Sequence, residues 1–134
     1  MNAKFKIALA VVSGAALGAA AMHGLHAQGK PKAYSVTEIE VIDDAAQAAY
    51  ARQITTEIAF ASGRPINAAG GKVVALVGEA PKRVAIIEWN SLEQAQKFYD
   101  STDFKRLAPQ RDKAEKIVRQ YIVENPGSAT AQVQ

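Results

Sequence analysis

The chain has 134 residues, which suits one domain and is short for two. It carries 16 basic and 13 acidic residues and no cysteine, so disulfides, thiolate nucleophiles and cysteine metal sites are excluded. Both histidines, His23 and His26, lie near the start, and the remainder therefore offers no histidine for Ser–His catalysis or zinc binding. We accordingly predict no metal and no other cofactor.

The first 27 residues differ in composition from the rest of the chain. Lys4 and Lys6 precede the uncharged apolar run Ile7–Ala21, and Leu25-His26-Ala27 resembles a signal-peptidase site. This pattern predicts a signal peptide at Met1–Ala27 and a periplasmic or secreted protein. The alternative is an uncleaved membrane anchor, in which Gly14 and Gly18 form a helix-pairing face. Without Lys4 and Lys6 the balance is 14 basic to 13 acidic residues, so no nucleic-acid or membrane-surface partner is expected.

Four strands are predicted after a linker at Gln28–Lys32. In most of them apolar and polar residues alternate or β-branched residues are frequent. Val84–Ile87 is instead a continuous apolar run, which is typical of a strand buried on both faces. Gly78–Pro81 is predicted to turn the second strand into the third as a hairpin, and Asp112–Lys116 is predicted to be a charged turn. Asn125–Gln134 is predicted to be a disordered tail. The predicted strands are Ala33–Val41, Lys72–Val77, Arg83–Trp89 and Ile117–Glu124.

Two main helices are predicted between these strands. Asp43 provides an N-cap for the first, whose apolar stripe includes Tyr50 and Ile58 and which stops at Gly63. Ser91 and Gln94 form a capping box for the second. Ser101 is positioned to cap a further helical turn.

The order β-α-β-β-α-β is that of the split βαβ motif. It predicts an α+β, ferredoxin-like domain at Ala33–Glu124, with a four-stranded antiparallel sheet and helices on one face. The other face would carry Val84 and Ile86 and would need a cover. A second copy of the chain is the simplest cover, so we predict a homodimer.

The same stretch resembles a known family, the domain of unknown function 1330. The likeness covers Ala33–Glu124 and implies a dimeric α/β barrel, related in fold to antibiotic-biosynthesis monooxygenases, without an established activity. Trp89 and Thr102 depart from the phenylalanine and proline expected there. The segments that carry the likeness are Gly70-Gly71, Gly78-Glu79, Arg83–Trp89, Ser91-Leu92-Glu93, Phe98-Tyr99, Ser101, Phe104 and Arg111.

Glu88 and Glu38 are the candidate catalytic residues. If Glu88 is desolvated on the most apolar strand, its pKa should rise toward neutrality, where it could act as a proton acceptor. Glu38 on a neighbouring strand could raise that pKa further by like-charge repulsion. The alternative is that both carboxylates are solvated or paired with basic residues, which would remove the basis for a catalytic role.

Aromatic side chains and one arginine are the candidate ligand-binding residues. Tyr34, Tyr50 and Trp89 could line a pocket between the sheet faces, although such residues more often belong to the core. Arg111 could bind a carboxylate or cap the preceding helical turn.

Two functional classes therefore remain open. The first is an exported dimer that binds a small organic ligand without chemistry. The second, by fold analogy, is a cofactor-independent monooxygenase or isomerase. RNA binding is disfavoured because Val84, Ile86 and Glu88 occupy positions where stacking aromatics would be needed.

Overall fold

The structure is a computed structural model in which residues 29–127 are described. The predicted signal peptide and residues 128–134 of the predicted tail lie outside this range. Within it, no helix has the length and apolar character needed to cross a membrane. The elements are β1 (Lys32–Val41), α1 (Asp44–Phe60), β2 (Arg64–Ala68), β3 (Arg83–Trp89), α2 (Leu92–Asp100), α3 (Thr102–Arg106), α4 (Ala108–Ala114) and β4 (Glu115–Asn125).

The four strands form one antiparallel sheet in the order β2-β3-β1-β4. Helices cover one face, and the fold is the predicted α+β, ferredoxin-like one. Along β1, Ala33, Ser35 and Ile39 are buried on the helix-covered face. The intervening residues Tyr34 and Val36 lie on the opposite face because side chains alternate along a strand. We call that opposite surface, which also carries Glu38, Val84, Ile86, Glu88, Arg119, Tyr121 and Val123, the open face.

The predicted helix caps are confirmed by their hydrogen bonds. The Asp43 carboxylate accepts from the Ala46 N–H at 2.6 Å, and Ser91 Oγ accepts from the Gln94 N–H at 3.1 Å. Ser101 Oγ accepts from the Phe104 N–H at 3.2 Å. Each bond satisfies a donor that the first helical turn leaves free, so the sequence fixes where these helices begin.

The second strand was predicted in the wrong place. β2 is Arg64–Ala68, whereas the predicted strand Lys72–Val77 is irregular, and Leu76 and Val77 are 96% and 95% exposed. Both sides of β3 are already paired, with β1 on one side and β2 on the other. The residues of 72–77 therefore cannot form the predicted hairpin with β3, and tertiary context overrides their β propensity. β2 tolerates Pro65 because it is an edge strand.

The start of β4 also differs from the prediction. Residues 112–114 belong to α4 and not to a turn, and β4 begins at Glu115, two positions before the predicted Ile117. A register shift opposite Glu38 and Ile39 marks a bulge in this strand. The shift in boundary matters because it places Glu115 in a ladder position, opposite Val41 of β1.

The main core forms where β3 meets α1 and α2. Trp89 is completely buried, its ring centroid lies 5.0 Å from that of Phe98, and Ile58 and Ile87 pack in the same cluster. Gly63 lies against this cluster, and a Cβ there would come within 2.7 Å of Ile58 Cγ2 and Trp89 Cζ3. Gly63 therefore gives the chain close passage beside Trp89, while Ser62 adopts the left-handed backbone after α1, with a φ of 62°.

Candidate functional site

A partly enclosed cavity lies between α1 and the helix-covered face of the sheet. We call it the helix–sheet cavity; its volume is about 100 Å³. Along α1 the residues that line it are spaced three or four apart, as one face of a helix requires. These are Gln47, Tyr50, Ala51, Ile54, Thr55 and Ile58, and they face Thr37, Ile39, Ala85, Ile87, Asn67, Glu115, Ile117 and Gln120 of the sheet.

The cavity is on the side of the sheet opposite to the predicted pocket. We expected a pocket between the sheet faces of two subunits, where Tyr34 and Glu88 lie. The cavity of the described chain is instead roofed by α1 and α2, with Phe98 and Tyr99 of α2 in its wall. A ligand here would be held within a single chain.

Glu115 is the acidic residue of this cavity. It is only 5% exposed, and among residues 29–127 its Oε2 has no hydrogen-bond partner. Burial raises the pKa of the Glu115 carboxyl, while hydrogen bonding from Gln47 and the positive charge of Arg111 oppose that rise. A buried carboxyl with raised pKa and an unused oxygen is the arrangement expected of an acid, a base or a ligand contact.

Two tyrosines border the same cavity. Burial and the nearby Glu115 charge raise the pKa of Tyr50, so its hydroxyl stays protonated. Burial also raises the pKa of Tyr99, whose hydroxyl donates to Ser35 Oγ at 2.8 Å. Both residues therefore keep neutral hydroxyl groups, and the Tyr99 hydroxyl proton is already used in the bond to Ser35.

Glu88 has electrostatics opposite to those predicted. Its side chain is 12% exposed, and hydrogen bonds from Lys32 and Arg64 lower its pKa to about 2. Lys32 Nζ and Arg64 Nη2 each lie 2.8 Å from Glu88 Oε1, and the Tyr34 hydroxyl donates to Oε2 at 3.2 Å. These partners outweigh the desolvation of the apolar strand, so the predicted rise in pKa was wrong.

Glu38 does not pair with Glu88. In the sheet register Glu88 lies opposite Tyr34, whereas Glu38 lies opposite Val84. The Glu38 carboxylate accepts two hydrogen bonds from the Arg119 guanidinium, at 2.7 and 3.1 Å. This bidentate geometry matches the alternative interpretation, in which a basic partner neutralises the carboxylate.

The family model for a domain of unknown function, DUF1330, matches residues 32–126. The chain belongs to the DUF1330 family. No match was found among curated proteins.

Solved structures of similar fold share little sequence with this DUF1330 protein. RPA0582, a protein of unknown function from Rhodopseudomonas palustris, is 13% identical with a TM-score of 0.53, covering 80% of this chain and 91% of that one. The methylated RPA0582 protein is 14% identical with a TM-score of 0.57, covering 81% of this chain and 91% of that one. SnoaB, a cofactor-independent oxygenase from Streptomyces nogalater, is 12% identical with a TM-score of 0.49, covering 73% of this chain and 96% of that one. At such identities the RPA0582 structures support the fold alone.

The DUF1330 domain brings only some of the predicted site residues together. Tyr50 lines the helix–sheet cavity, and Arg111 lies close enough to influence Tyr50 and Glu115 electrostatically. The Arg111 guanidinium also donates to its neighbour Asp112, at 2.9 and 3.1 Å. Tyr34 contacts Glu88 on the open face, away from the cavity. Trp89 lies in the main core cluster and outside the lining of the helix–sheet cavity.

Glu115 and Gln47 are the residues that sequence reasoning missed. Gln47 lies one helical turn before Tyr50 and therefore on the same face of α1, so the apolar stripe of that helix was a signal for its position. Glu115 stands two positions before Ile117, and strand alternation extended backwards by one pair would have placed it on the inner face. No group of three or more metal-ligating side chains occurs in the part of the chain that the structure describes.

Proposed function

We propose that this DUF1330 protein binds a small organic ligand in the helix–sheet cavity. The observation that carries the proposal is a cavity with mostly apolar walls whose lining also includes three neighbouring polar groups, those of Gln47, Tyr50 and Glu115. Apolar walls with a small number of placed polar groups are typical of small-molecule sites. Tyr50 and Glu115 supply such groups, and Tyr50 is as deeply buried as the core residues.

The volume limits the ligand to about one ring. An engineered apolar cavity of about 150 Å³ holds benzene, whereas drug-sized ligands occupy pockets of about 300 Å³ or more. At about 100 Å³ the helix–sheet cavity fits the first class. We therefore expect single-ring compounds to bind before polycyclic ones.

A pair of variants on α1 tests this proposal. Ala51 lines the cavity, whereas Ala48 on the same helix is exposed. Ala51→Leu should fill the space and weaken the binding of single-ring compounds at least tenfold by calorimetry. Ala48→Leu should leave binding unchanged. If no single-ring compound binds the unchanged protein at millimolar concentration, or if Ala51→Leu binds as well as the wild type, the cavity is not the site.

We also propose that the protein is a homodimer joined through the open face. Tyr121 and Val123 of β4 are about half exposed there, and Val84 and Ile86 of β3 lie on the same face, separated from them by β1. Although the ion pairs of Glu38 and Glu88 share this face, an apolar cluster on a sheet surface is often an interaction site. Light scattering should give twice the chain mass at micromolar concentration. Ile86→Lys and the more peripheral Val123→Lys should both weaken pairing, and a monomeric wild-type protein would rule the interface out.

The second candidate function is enzymatic, a cofactor-independent monooxygenase or isomerase. The observation that favours it is the raised pKa of Glu115, because a base works best when its pKa lies near the working pH. Turnover of a bound single-ring compound that disappears in Glu115→Gln would establish this candidate. Binding with no turnover in any atmosphere or at any pH would leave the protein a binding module.

Export is a further part of the proposal. It is supported by Lys4, Lys6, the run Ile7–Ala21 and the Leu25-His26-Ala27 sequence. Sequencing the N-terminus of the exported form should find a start near Gln28. An intact Met1 on membrane-associated protein would favour the uncleaved anchor.

A further inference from the structure

Two acceptor oxygens of residues that line the helix–sheet cavity are buried without hydrogen-bond partners. They are Oε2 of Glu115 and Oε1 of Gln47, and no group within residues 29–127 donates to either. An unpaired buried polar atom costs free energy, and such atoms are uncommon in folded proteins. Both residues line the cavity, so a bound molecule can supply the missing donors.

We propose that the ligand of this cavity is a single-ring compound with a hydroxyl group, such as a phenol, whose O–H donates to Glu115 Oε2. The proposal rests on the small-molecule binding function proposed above and names its ligand class. The ring would lie among the apolar walls formed by Ile54, Ile58 and Ile87, and the hydroxyl would point toward the start of β4. If the ring carries a second hydroxyl on the adjacent carbon, that hydroxyl could donate to Gln47 Oε1.

The charges around Glu115 favour a neutral donor over a cation or an anion. Arg111 of α4 already supplies positive charge to the carboxyl, and Asp112 lies beside Arg111. Tyr50 of α1 faces the carboxyl as a neutral hydroxyl, and Lys116 follows it on β4. A ligand ammonium would add a cation next to Arg111 and would lose its hydration in an apolar space. A ligand carboxylate would be repelled by ionised Glu115.

Glu115 also connects the cavity with the protein surface. Together with Ile117 it lines both the helix–sheet cavity and a shallow open groove bordered by Ile42, Arg111 and Lys116. The carboxyl is thus placed where a hydroxyl entering from the groove would meet it first. Its low exposure keeps the oxygen that would receive the hydrogen bond out of bulk water.

The test compares phenol with toluene, which has nearly the same shape but no O–H. In an apolar cavity without a polar partner, toluene would bind better, because burying a hydroxyl without a hydrogen bond is unfavourable. We expect calorimetry on the purified protein at pH 7.5 to reverse this order, with phenol bound at least fivefold more tightly. Glu115→Gln should weaken phenol binding about tenfold and leave toluene binding within twofold, because hydrogen bonds to charged acceptors are the stronger ones.

The matched control is Glu124→Gln, the same substitution on the exposed end of the same strand. It should change neither affinity. Phenol affinity of the wild type should fall as the pH drops through the Glu115 pKa, whereas that of Glu115→Gln should stay flat between pH 5 and 8, where phenol itself remains neutral. Benzylammonium and benzoate should bind more weakly than phenol.

The possible failures are distinguishable. Toluene binding equal to or tighter than phenol binding, identical pH profiles for wild type and Glu115→Gln, or preferred binding of benzylammonium would overturn the hydroxyl ligand while leaving cavity binding in place. Loss of toluene binding in Ala51→Leu would confirm in the same experiment that the compounds occupy the cavity. If neither phenol nor toluene binds, this inference and the proposed function both fall.

Discussion

The indole N–H of Trp89 donates to the Ser35 hydroxyl oxygen over 3.0 Å, and both residues are completely buried. The Tyr99 hydroxyl donates to the same oxygen over 2.8 Å. One serine on β1 therefore satisfies polar atoms from β3 and α2. Because buried tryptophan and tyrosine need such partners, Ser35 lets two large aromatic side chains enter the core.

Ser35→Ala should destabilise the protein by about 1–3 kcal/mol. The substitution leaves the Trp89 N–H buried without an acceptor, and the loss of that bond costs more than the bond itself contributes. Urea unfolding measures the change. The same substitution in a Trp89→Phe background should cost clearly less, because the orphaned donor is gone. Strictly additive effects in this double-mutant cycle would show that the bond makes no energetic contribution.

Gly63→Ala should be destabilising, by roughly 1–3 kcal/mol, because overpacking a dense core displaces side chains. Its Cβ would come within 2.7 Å of Ile58 and Trp89. Gly70→Ala is the matched control, since nothing lies within 4 Å of a Cβ at that position. Thermal unfolding should separate the two variants by several degrees. Equal midpoints would mean that the chain beside Trp89 moves aside freely.

The Glu88 carboxyl should titrate near pH 2 and not near neutrality. Hydrogen bonds from Lys32 and Arg64 lower its pKa from 4.5 to about 2. A lowered pKa contributes stability above about 4.5, and this contribution is lost as the pH falls toward 2. Carbon-detected NMR of the carboxyl gives the midpoint directly, and Glu88→Gln should flatten the acid limb of the stability curve. Since Lys32 and Arg64 are largely exposed, high salt should move the midpoint upward. A midpoint above 5 would restore Glu88 as a candidate base.

Glu115→Gln should stabilise the protein at neutral pH. Burial raises the pKa of Glu115, so the folded state binds this proton more tightly than the unfolded chain does, and stability falls as the pH rises from 4.5 through the raised value. Glutamine keeps the shape without the charge and so avoids the cost of ionising a buried carboxyl. The melting temperature should therefore exceed that of the wild type at pH 7.5 and approach it at pH 4. Glu124→Gln should show no such difference. A variant less stable than the wild type at both pH values would contradict the burial argument.

Part of the candidate site follows from the sequence. The stripe on α1 that contains Tyr50 identifies the helix face that lines the cavity, because helical periodicity is a local property. Glu115 escaped notice because its role depends on where α4 ends and β4 begins. Sequence patterns place the ends of helices and strands only to within one or two residues. Here β4 begins at Glu115 and not at Ile117, and this difference of two residues places the Glu115 carboxyl in the strand and beside the cavity.

The sequence by itself determined the order of elements, the three helix caps and the family, since these depend on neighbouring residues and on a long, specific pattern. Only the tertiary structure decided which segment became β2, because that depends on which side of β3 remained unpaired. It also decided the state of Glu88, whose partners Lys32 and Arg64 lie 56 and 24 positions away in the chain. A pKa is set by charges in space, and residues so distant in sequence are brought within 2.8 Å only by the completed sheet.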